Sequence, residues 1–385
     1  MNKKTSDVTI LCRVVDNYGD IGFVYRLSRN LSELVPQIKL RLVVSNLESF
    51  SAMAPGLDPS KEIQQYRGWT VMDWNASDAC RAEFTKNPPT LILECFQCSR
   101  PQWLEDMLFS PDWNREVQII NIEYLTAESW ADDFHLLKSG TRSILVKKVN
   151  FMPGFTKKTG GLVIDSDFAT SLNNPDAALL RLKAYPEYKE IKEAIFSEMT
   201  CISLFTYQRD FSPLVRAMKK SSLPICLFLA PGLSRKVFLD AWEKEGKPFK
   251  VVELSYMAQE DWDALLTLTD VNIIRGEDSF ARACLCGKPF LWNAYVQDDE
   301  FQLEKVRALL ERIKAHFSTQ PDLFENYGKL MIEFNKTRES DDNALESFML
   351  SFLLSLKNSA KPFADFGSEL FANENLTEKL LDFIQ

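Results

Sequence analysis

Two carboxylates stand close together in one short loop, in the stretch "VVDNYGDIGF" that contains Asp16 and Asp20. The apolar run Val8–Val15 before the loop predicts a β-strand, and the apolar spacing over Ile21–Leu34 predicts a helix after it. Carboxylates in such a turn can carry out acid–base chemistry. They can also be structural, with Asp16 in an Asx-turn and Asp20 as the N-cap of the helix. The spacing alone leaves both interpretations open.

The scarcity of histidine makes carboxylates the natural candidates for acid–base chemistry. The chain has two histidines, His135 in an unpatterned stretch and His316 in a charged helical one. Cys95 and Cys98 have the spacing of a redox or zinc pair, but a zinc site needs a second pair or histidines at similar spacing. We therefore predict no metal. We interpret the eight cysteines as mostly buried free thiols of a reducing cytosol.

A second loop, "RGEDSFARA" over residues 275–283, has the composition of an anion-binding site. Arg275 supplies a forked cation, Gly276 lets the backbone come close to a ligand, and Ser279 stands where a helix would begin. A diphosphate fits these groups. The structural alternative is that Asp278 or Ser279 caps the helix and Arg275 pairs with an acid. No G-x-G-x-x-G follows a predicted strand, and the P-loop pattern is absent, which argues against nicotinamide and P-loop proteins.

The elements around these loops alternate in the manner of an α/β protein. Apolar runs alternate with helical patterns in each half of the chain, and a mostly helical tail begins at Glu300. Among the runs that predict strands are Thr90–Phe96, Val117–Leu125 and Val271–Arg275. At 385 residues the chain is long enough for two domains. We expect two Rossmann-like α/β domains, residues 1–185 and 186–385, facing each other across a cleft. Ligands of such sheets bind beyond the carboxyl ends of the strands, where both loops lie.

Charge and hydropathy exclude some classes of partner. Lysine and arginine number 45 against 54 aspartates and glutamates, a formal charge of −9 that argues against nucleic acid and is compatible with a basic protein partner. The apolar runs are shorter than the roughly 18–20 residues that span a bilayer. The first apolar run is interrupted by Arg13, so we interpret it as a strand and not as a signal peptide. We expect a cytoplasmic protein with no membrane partner.

Five blocks of sequence, spread over nearly the whole chain, together resemble a known family. They are "DNYGDIG", "NIEYLTAESW", "MPGFTKKTGGL", "RGEDSFARA" and "GKPFLW". The sequence is similar to the EarP family of bacterial protein-arginine rhamnosyltransferases, which modify translation elongation factor P. The resemblance implies a GT-B glycosyltransferase fold and a dTDP-β-L-rhamnose donor. It further implies elongation factor P as acceptor, inversion at the anomeric carbon, no cofactor and no metal requirement.

The resemblance also implies roles for particular residues. Asp20 is the expected base and Asp16 a supporting acid, because two carboxylates can grip a guanidinium and accept its proton. Gly19 between them is expected to let the backbone approach donor or acceptor closely. Glu277 is implied to be functional, holding either the rhamnose or the bound arginine. The positions that the family uses for the diphosphate and the nucleoside are matched here by Arg275, Asp278 and Ser279.

Recognition of a thymine base implies aromatic stacking and a hydrogen-bonding side chain. Aromatic residues stand near the ends of two predicted strands, and a glutamine follows one of them. The alternative for each aromatic residue is packing in the core. The residues expected to bind the base are Phe205, Tyr207, Tyr256, Gln259 and Trp262.

Two acidic stretches outside these loops have other interpretations. Asp165 and Asp167 form the D-x-D pattern of metal-dependent glycosyltransferases, but they lie in the irregular stretch between the predicted domains. We interpret them as a solvated turn. The block "EYLTAESWADD", Glu123–Asp133, is either a docking face for a basic acceptor protein or a solvated helix start.

Two other functions are compatible with the same residues. One is a GT-B transferase with a carbohydrate acceptor, which would need one base in the first loop and not a pair of acids. The other is a non-catalytic module that binds a nucleotide or a protein, for which Asp20→Asn would leave function intact.

Overall fold

The chain folds into two compact units of strands and helices. In the computed structural model, the described residues are 7–15, 18–338 and 340–384. The first unit comprises Met1–Asp165 and Asn373–Gln385, and the second comprises Ser166–Ala372. The division thus lies earlier than the predicted boundary between residues 185 and 186, and the end of the chain returns to the first unit.

The first unit is built on an eight-stranded sheet. Its strands are β1 (Asp7–Cys12), β2 (Lys39–Val44), β3 (Ile63–Tyr66), β4 (Trp69–Asp73), β5 (Leu91–Cys95), β6 (Val117–Ile122), β7 (Lys138–Ser139) and β8 (Val146–Phe151). The helices between them are α1 (Gly19–Leu34), α2 (Leu47–Met53), α3 (Ser77–Lys86), α4 (Gln102–Leu108) and α5 (Trp130–Phe134).

The strand order of this sheet reverses between β1 and β5. The order is β3-β4-β2-β1-β5-β6-β8-β7, and the pairs are parallel except for the outermost pair at each edge. Every residue of β5 is buried, as expected for a central parallel strand covered on both faces, and its sequence is apolar apart from the ion-paired Glu94. Open α/β sheets bind their ligands at such a reversal, beyond the carboxyl ends of the strands. The loop after β1 therefore lies at the favoured place for a site.

The second unit has the same plan with a five-stranded parallel sheet and a helical tail. Its first elements are α6 (Ser166–Asn173), α7 (Pro175–Arg181), α8 (Tyr188–Ile195), β9 (Thr200–Leu204), α9 (Ser212–Lys220), β10 (Ile225–Leu229), α10 (Leu233–Lys244) and β11 (Lys250–Glu253). There follow α11 (Gln259–Leu268), β12 (Val271–Arg275), α12 (Glu277–Leu285), β13 (Phe290–Asn293), α13 (Gln302–Lys314), α14 (Pro321–Asn335), α15 (Asp342–Leu354) and α16 (Leu356–Phe371), and the chain ends with α17 (Leu376–Ile384) in the first unit. The strand order β11-β10-β9-β12-β13 reverses between β9 and β12.

Packing explains why the units divide where they do. α6 and α7 pack against α11, so they belong to the second unit although their sequence lies in the irregular stretch. α17 packs against α1 of the first unit. Asn375 holds the start of α17 in the first unit. Its Nδ2 donates to Asn30 Oδ1 at 3.1 Å and to the Ile164 carbonyl at 2.9 Å. Its Oδ1 accepts from the Ile164 N–H at 3.1 Å. The amide group is 9% exposed, and leaving its partners unpaired would be costly.

His135 makes the stability of the first unit depend on pH. Its Nδ1 accepts a hydrogen bond from the Met152 N–H at 3.1 Å, which requires the neutral imidazole. Burial, and then the nearby Lys379, lower the pKa of His135 from 6.5 to about 4. Because the folded pKa is depressed, the folded state binds the proton less readily than the unfolded chain. The free energy of unfolding should therefore fall as pH drops from about 6.5 towards 4, by about 1–2 kcal/mol once the side chain's partial exposure is allowed for.

Urea unfolding at pH 7 and at pH 4.5 measures this effect. We expect the wild-type protein to lose more stability between the two pH values than His135→Asn, whose amide oxygen can accept the same hydrogen bond without titrating. Equal losses in the two proteins would show that His135 is not the group responsible.

Candidate active site

Asp20 lies at the reversal of the first sheet, in the first turn of α1. The helix begins at Gly19 with Tyr18 at the N-cap position, and no side chain caps it. Asp20 is 2% exposed, and its Oδ2 accepts a hydrogen bond from the N–H of Val15 in the preceding loop at 2.7 Å. The alternative in which Asp20 is the N-cap is therefore wrong. Instead, a buried carboxylate is held by backbone at the point where a parallel sheet is expected to bind its ligand.

The neighbours of Asp20 come from three strands of the sheet. Cys12 ends β1 and Cys95 ends β5, and the pKa of each thiol is raised well above its usual value by burial first, with a smaller contribution from Asp20. Tyr124, two residues beyond β6, donates a hydrogen bond from its hydroxyl group to Asp20 Oδ1 at 3.4 Å. The sequence placed Tyr124 in a family block but did not identify it as a site residue. Gly19 is the first residue of α1, and its predicted role is untested. Asp16 lies outside the described residues, so its role also stays a prediction.

The second predicted loop forms the reversal of the second sheet. β12 ends at Arg275, and α12 begins at Glu277 with Gly276 at the N-cap position. Gly276 has φ 70°, in the left-handed region that favours glycine, and no side chain caps the helix. The alternative in which Asp278 or Ser279 is the cap is therefore wrong. The N-cap residue itself has no side chain, so the start of this nine-residue helix is open to close approach by an anion.

Arg275 is sandwiched between two aromatic rings that follow β9. Its guanidinium carbon lies 4.7 Å from the ring centre of Phe205 and 4.5 Å from that of Tyr207. Its Nε is buried and has no hydrogen-bond partner among the described residues, nor does any described carboxylate form an ion pair with it. The alternative in which Arg275 pairs with an acid is therefore wrong. A cation held against ring faces, with a buried and unsatisfied Nε–H, suits an anionic ligand.

Other predicted residues of the second unit join this group. Gln259 Nε2 donates to Asp278 Oδ2 at 2.8 Å, and Trp262 Nε1 donates to Ser279 Oγ at 3.2 Å. The ring of Trp262 also meets Phe205 edge to face at 5.7 Å. These contacts connect the start of α11, the start of α12 and the end of β9 into one cluster.

The aromatic side chains of this cluster are only partly buried, although Trp262 also packs against the hydrophobic core of the second unit. Phe205, Tyr207 and Trp262 are half-buried, and Tyr256 is 63% exposed in the loop between β11 and α11. Within the described part of the chain, no ring or hydrogen-bond contact joins Tyr256 to the cluster. The structure thus brings together the predicted binding residues of the second unit apart from Tyr256, and Glu277 is the first residue of α12, between Gly276 and Asp278.

The D-x-D pair is not a solvated turn. Asp165 is buried and its Oδ2 accepts from Nη1 of the equally buried Arg26 at 2.9 Å, within the first unit. Asp167 lies in the first turn of α6 in the second unit and pairs with Arg181 at 3.3 Å. The interpretation as a solvated turn is therefore wrong for Asp165, which is buried, whereas Asp167 is half exposed but lies in a helix and not in a turn.

The cysteines have the expected environment. All eight are buried and free. Burial raises the pKa of Cys98 to about 12, which disfavours the thiolate that a metal or a redox reaction needs. Among the residues that the structure describes, no group of histidine, cysteine and acidic side chains is arranged to hold a metal ion.

The acidic block Glu123–Asp133 overlaps the short helix α5, which ends at Phe134. Trp130 and Phe134 are 44% and 45% exposed on this helix and meet edge to face at 5.5 Å. A docking face and a helix start are both compatible with this arrangement, so the docking role stays a prediction. Elsewhere, none of the described helices is long and apolar enough to cross a membrane.

The chain has two α/β units, each built on a mostly parallel sheet with polar residues at a strand-order reversal. This is the organisation of the GT-B fold. A solved structure concerned with EarP-mediated arginine glycosylation of translation elongation factor EF-P matches 98% of this chain and 98% of its own, with a TM-score of 0.57 at 21% identity. A putative UDP-N-acetylglucosamine 2-epimerase from Listeria monocytogenes matches 94% of this chain and 90% of its own, with a TM-score of 0.52 at 10% identity. At these identities the matches establish the fold, and the predicted GT-B class is confirmed.

Sequence comparison identifies the family. The model of the elongation factor P (EF-P) rhamnosyltransferase EarP matches residues 8–385. A protein-arginine rhamnosyltransferase of Pseudomonas putida is 33% identical over 338 residues, 81% of this chain and 83% of its own. Another from Shewanella oneidensis is 32% identical over 86% of each chain. The chain belongs to the EarP family, and the prediction that it is a glycosyltransferase enzyme is confirmed.

Proposed function

We propose that this protein transfers rhamnose from dTDP-β-L-rhamnose to an arginine side chain of elongation factor P, with inversion at the anomeric carbon. The observation that carries the proposal is the contrast between the two strand-order reversals. A buried carboxylate lies at one, and an arginine next to a helix N-terminus that starts with glycine lies at the other. The first suits a cationic acceptor, and the second suits an anionic donor.

Asp20 is the proposed base. A guanidinium is a poor nucleophile because its lone pairs are delocalised and its pKa lies above about 12. A carboxylate can orient it and accept a proton from the attacking nitrogen. In the reaction the nitrogen–C1 bond forms, the bond from C1 to the diphosphate oxygen breaks, and the nitrogen's proton passes to Asp20. Asp16 is proposed to share the grip on the guanidinium, and Gly19 to allow close approach of the backbone.

Arg275 and the start of α12 are proposed to hold the diphosphate. As dTDP leaves, negative charge grows on the oxygen that was bound to C1, and a fixed cation with helix N–H groups stabilises it. This arrangement replaces a metal ion, so we propose that the reaction needs neither metal nor cofactor. Ser279 and Asp278 complete this end of the donor site, and Glu277 holds either the rhamnose or the bound arginine.

The thymine base is proposed to lie against the aromatic side chains around this site. Phe205, Tyr207 and Trp262 are half-buried and the Tyr256 ring is exposed, so each retains apolar surface. Gln259 is the proposed hydrogen-bonding reader, placed by its contact with Asp278. We further propose that the protein works in the cytoplasm, where a translation factor is available.

Mass spectrometry of elongation factor P incubated with this protein and dTDP-β-L-rhamnose tests the function. We expect the mass of one deoxyhexose on a single arginine, and an α-linked product by NMR if the configuration inverts. An acceptor with lysine in place of that arginine is the control and should stay unmodified. Excess EDTA in a parallel reaction should leave the yield unchanged.

The rival functions give different results. A carbohydrate-directed transferase would leave elongation factor P unmodified while still turning over dTDP-rhamnose with a sugar acceptor. A binding module would turn over neither substrate. Loss of activity in EDTA with recovery in Mg²⁺ or Mn²⁺ would contradict the metal-independent mechanism.

A further inference from the structure

A hydrogen bond and a ring stack connect the segments that follow β5 and β6, close to Asp20. The N–H of Phe96 donates to the carbonyl of Ile122 at 2.6 Å, and the ring of Phe96 stacks on Tyr124 with centres 4.5 Å apart and planes 16° from parallel. The ring of Phe96 also meets Phe23 of α1 at 5.2 Å, edge to face. The Tyr124 ring is thus held against a residue that also packs on the helix carrying Asp20.

The backbone that places Phe96 adopts an uncommon conformation. Phe96 has φ 62°, Gln97 φ 50° and Ser99 φ 60°, all in the left-handed region that residues other than glycine rarely adopt. Such a conformation persists only where the surroundings impose it, and it clusters at functional sites. A side-chain bond supports it here, since Gln97 Nε2 donates to Glu123 Oε1 at 2.7 Å.

We propose that Tyr124 is a positioning residue for Asp20, and that Phe96 holds the Tyr124 ring in place for this purpose. The hydroxyl of Tyr124 donates to Oδ1 of Asp20, while the Val15 N–H donates to Oδ2. Hydrogen bonds to both oxygens fix the plane of the carboxylate and favour its charged form. At 3.4 Å the tyrosine bond is long, so its effect is modest, and such bonds often tighten when substrate binds. The inference rests on the proposed role of Asp20 as the base.

Tyr124→Phe tests the role because it removes the hydroxyl and keeps the ring that stacks on Phe96. We expect kcat to fall about 5- to 30-fold, with dTDP affinity and thermal stability unchanged. The matched control is Tyr66→Phe, which removes a tyrosine hydroxyl that bonds to Tyr25 in the same unit at 3.3 Å. That variant should keep the wild-type kcat.

The dependence of kcat/KM on pH distinguishes a positioning role from a purely structural one, because a structural role would not shift it. Losing a donor to a carboxylate raises its pKa, so the acid limb of kcat/KM should shift to higher pH in Tyr124→Phe. Cys12 and Cys95 face Asp20 from the packed strands, and their raised pKa keeps them neutral across the assay range. Repeating the comparison in an Asp16→Asn background assigns the shift to Asp20 and not to the other acid of the loop.

A double-mutant cycle separates this inference from the function it rests on. If Tyr124 acts through Asp20, Tyr124→Phe should cost little more once Asp20→Asn is present. An equal loss of kcat in both backgrounds, or an unshifted acid limb, would overturn the role of Tyr124 while leaving Asp20 as the base. A fully active Asp20→Asn single variant would instead overturn the proposed base itself.

Discussion

Asp20→Asn should reduce turnover by the roughly 10²–10⁴-fold typical of losing a general base, while donor affinity barely changes. Asparagine keeps the shape of the side chain and its oxygen can still accept the Val15 N–H, so the fold should be retained. What the amide lacks is the charge that grips a guanidinium and the basicity that takes its proton. Steady-state kinetics with elongation factor P, together with calorimetry of dTDP, measure the two effects separately.

Asp78→Asn is the matched control for this experiment. Asp78 also lies in the first turn of a helix of the same unit, but on the exposed surface of α3. Its replacement also removes a negative charge from the first turn of a helix, but at a place away from the strand-order reversal. We therefore expect kcat and KM to stay unchanged. Near-normal turnover of a folded Asp20→Asn protein would remove Asp20 as the base, and Glu277 would then be the next carboxylate to test.

Asp16→Asn should differ from Asp20→Asn in a way that kinetics can resolve. Its proposed role is to grip and orient the arginine, so part of its effect should appear in the KM for elongation factor P. A loss confined to kcat and equal to that of Asp20→Asn would mean that the two acids act as one unit.

Much of the architecture was predictable because parallel strands covered on both faces are mostly apolar. β12 was predicted at its observed bounds, Val271–Arg275, and the ends of β1, β5 and β6 were placed within a few residues. β8 was missed because its sequence "VKKVNF" carries two lysines. One of them, Lys148, pairs at 2.6 Å with the buried Glu94 on β5, a contact that no local pattern reveals.

The candidate site was predictable in its residue types but not in its contacts. The loop "RGEDS" indicated an anion site. The sequence is compatible with a helix that begins after Gly276 or after Ser279, and the choice depends on backbone angles. The positive φ of Gly276 decides it. The sandwich of Arg275 by two rings from another strand, and the approach of Tyr124 to Asp20, arise only when distant segments meet at a sheet edge. Sequence patterns carry no information on such pairs.

Arg275→Ala should weaken the binding of dTDP by about 1.5–3 kcal/mol, because a charge-assisted contact to the diphosphate is lost. That corresponds to about a 10- to 150-fold rise in Kd. The loss should be confined to the diphosphate, so the affinity for thymidine, which has no phosphate, should change much less. Isothermal titration calorimetry with both ligands measures the difference. Arg307→Ala, on the exposed surface of α13 in the same unit, is the control and should bind dTDP normally.

Arg275→Lys tests whether the planar fork matters in addition to the charge. The rings of Phe205 and Tyr207 flank a flat guanidinium, whereas an ammonium group offers three donors in a different geometry. We therefore expect Arg275→Lys to bind dTDP with an affinity between those of wild type and Arg275→Ala. Equal losses for thymidine and dTDP in Arg275→Ala would mean that Arg275 supports the aromatic base site through its two ring contacts. Unchanged affinity for both ligands would remove Arg275 from the donor site, leaving the helix N-terminus at Gly276 to bind the diphosphate without it.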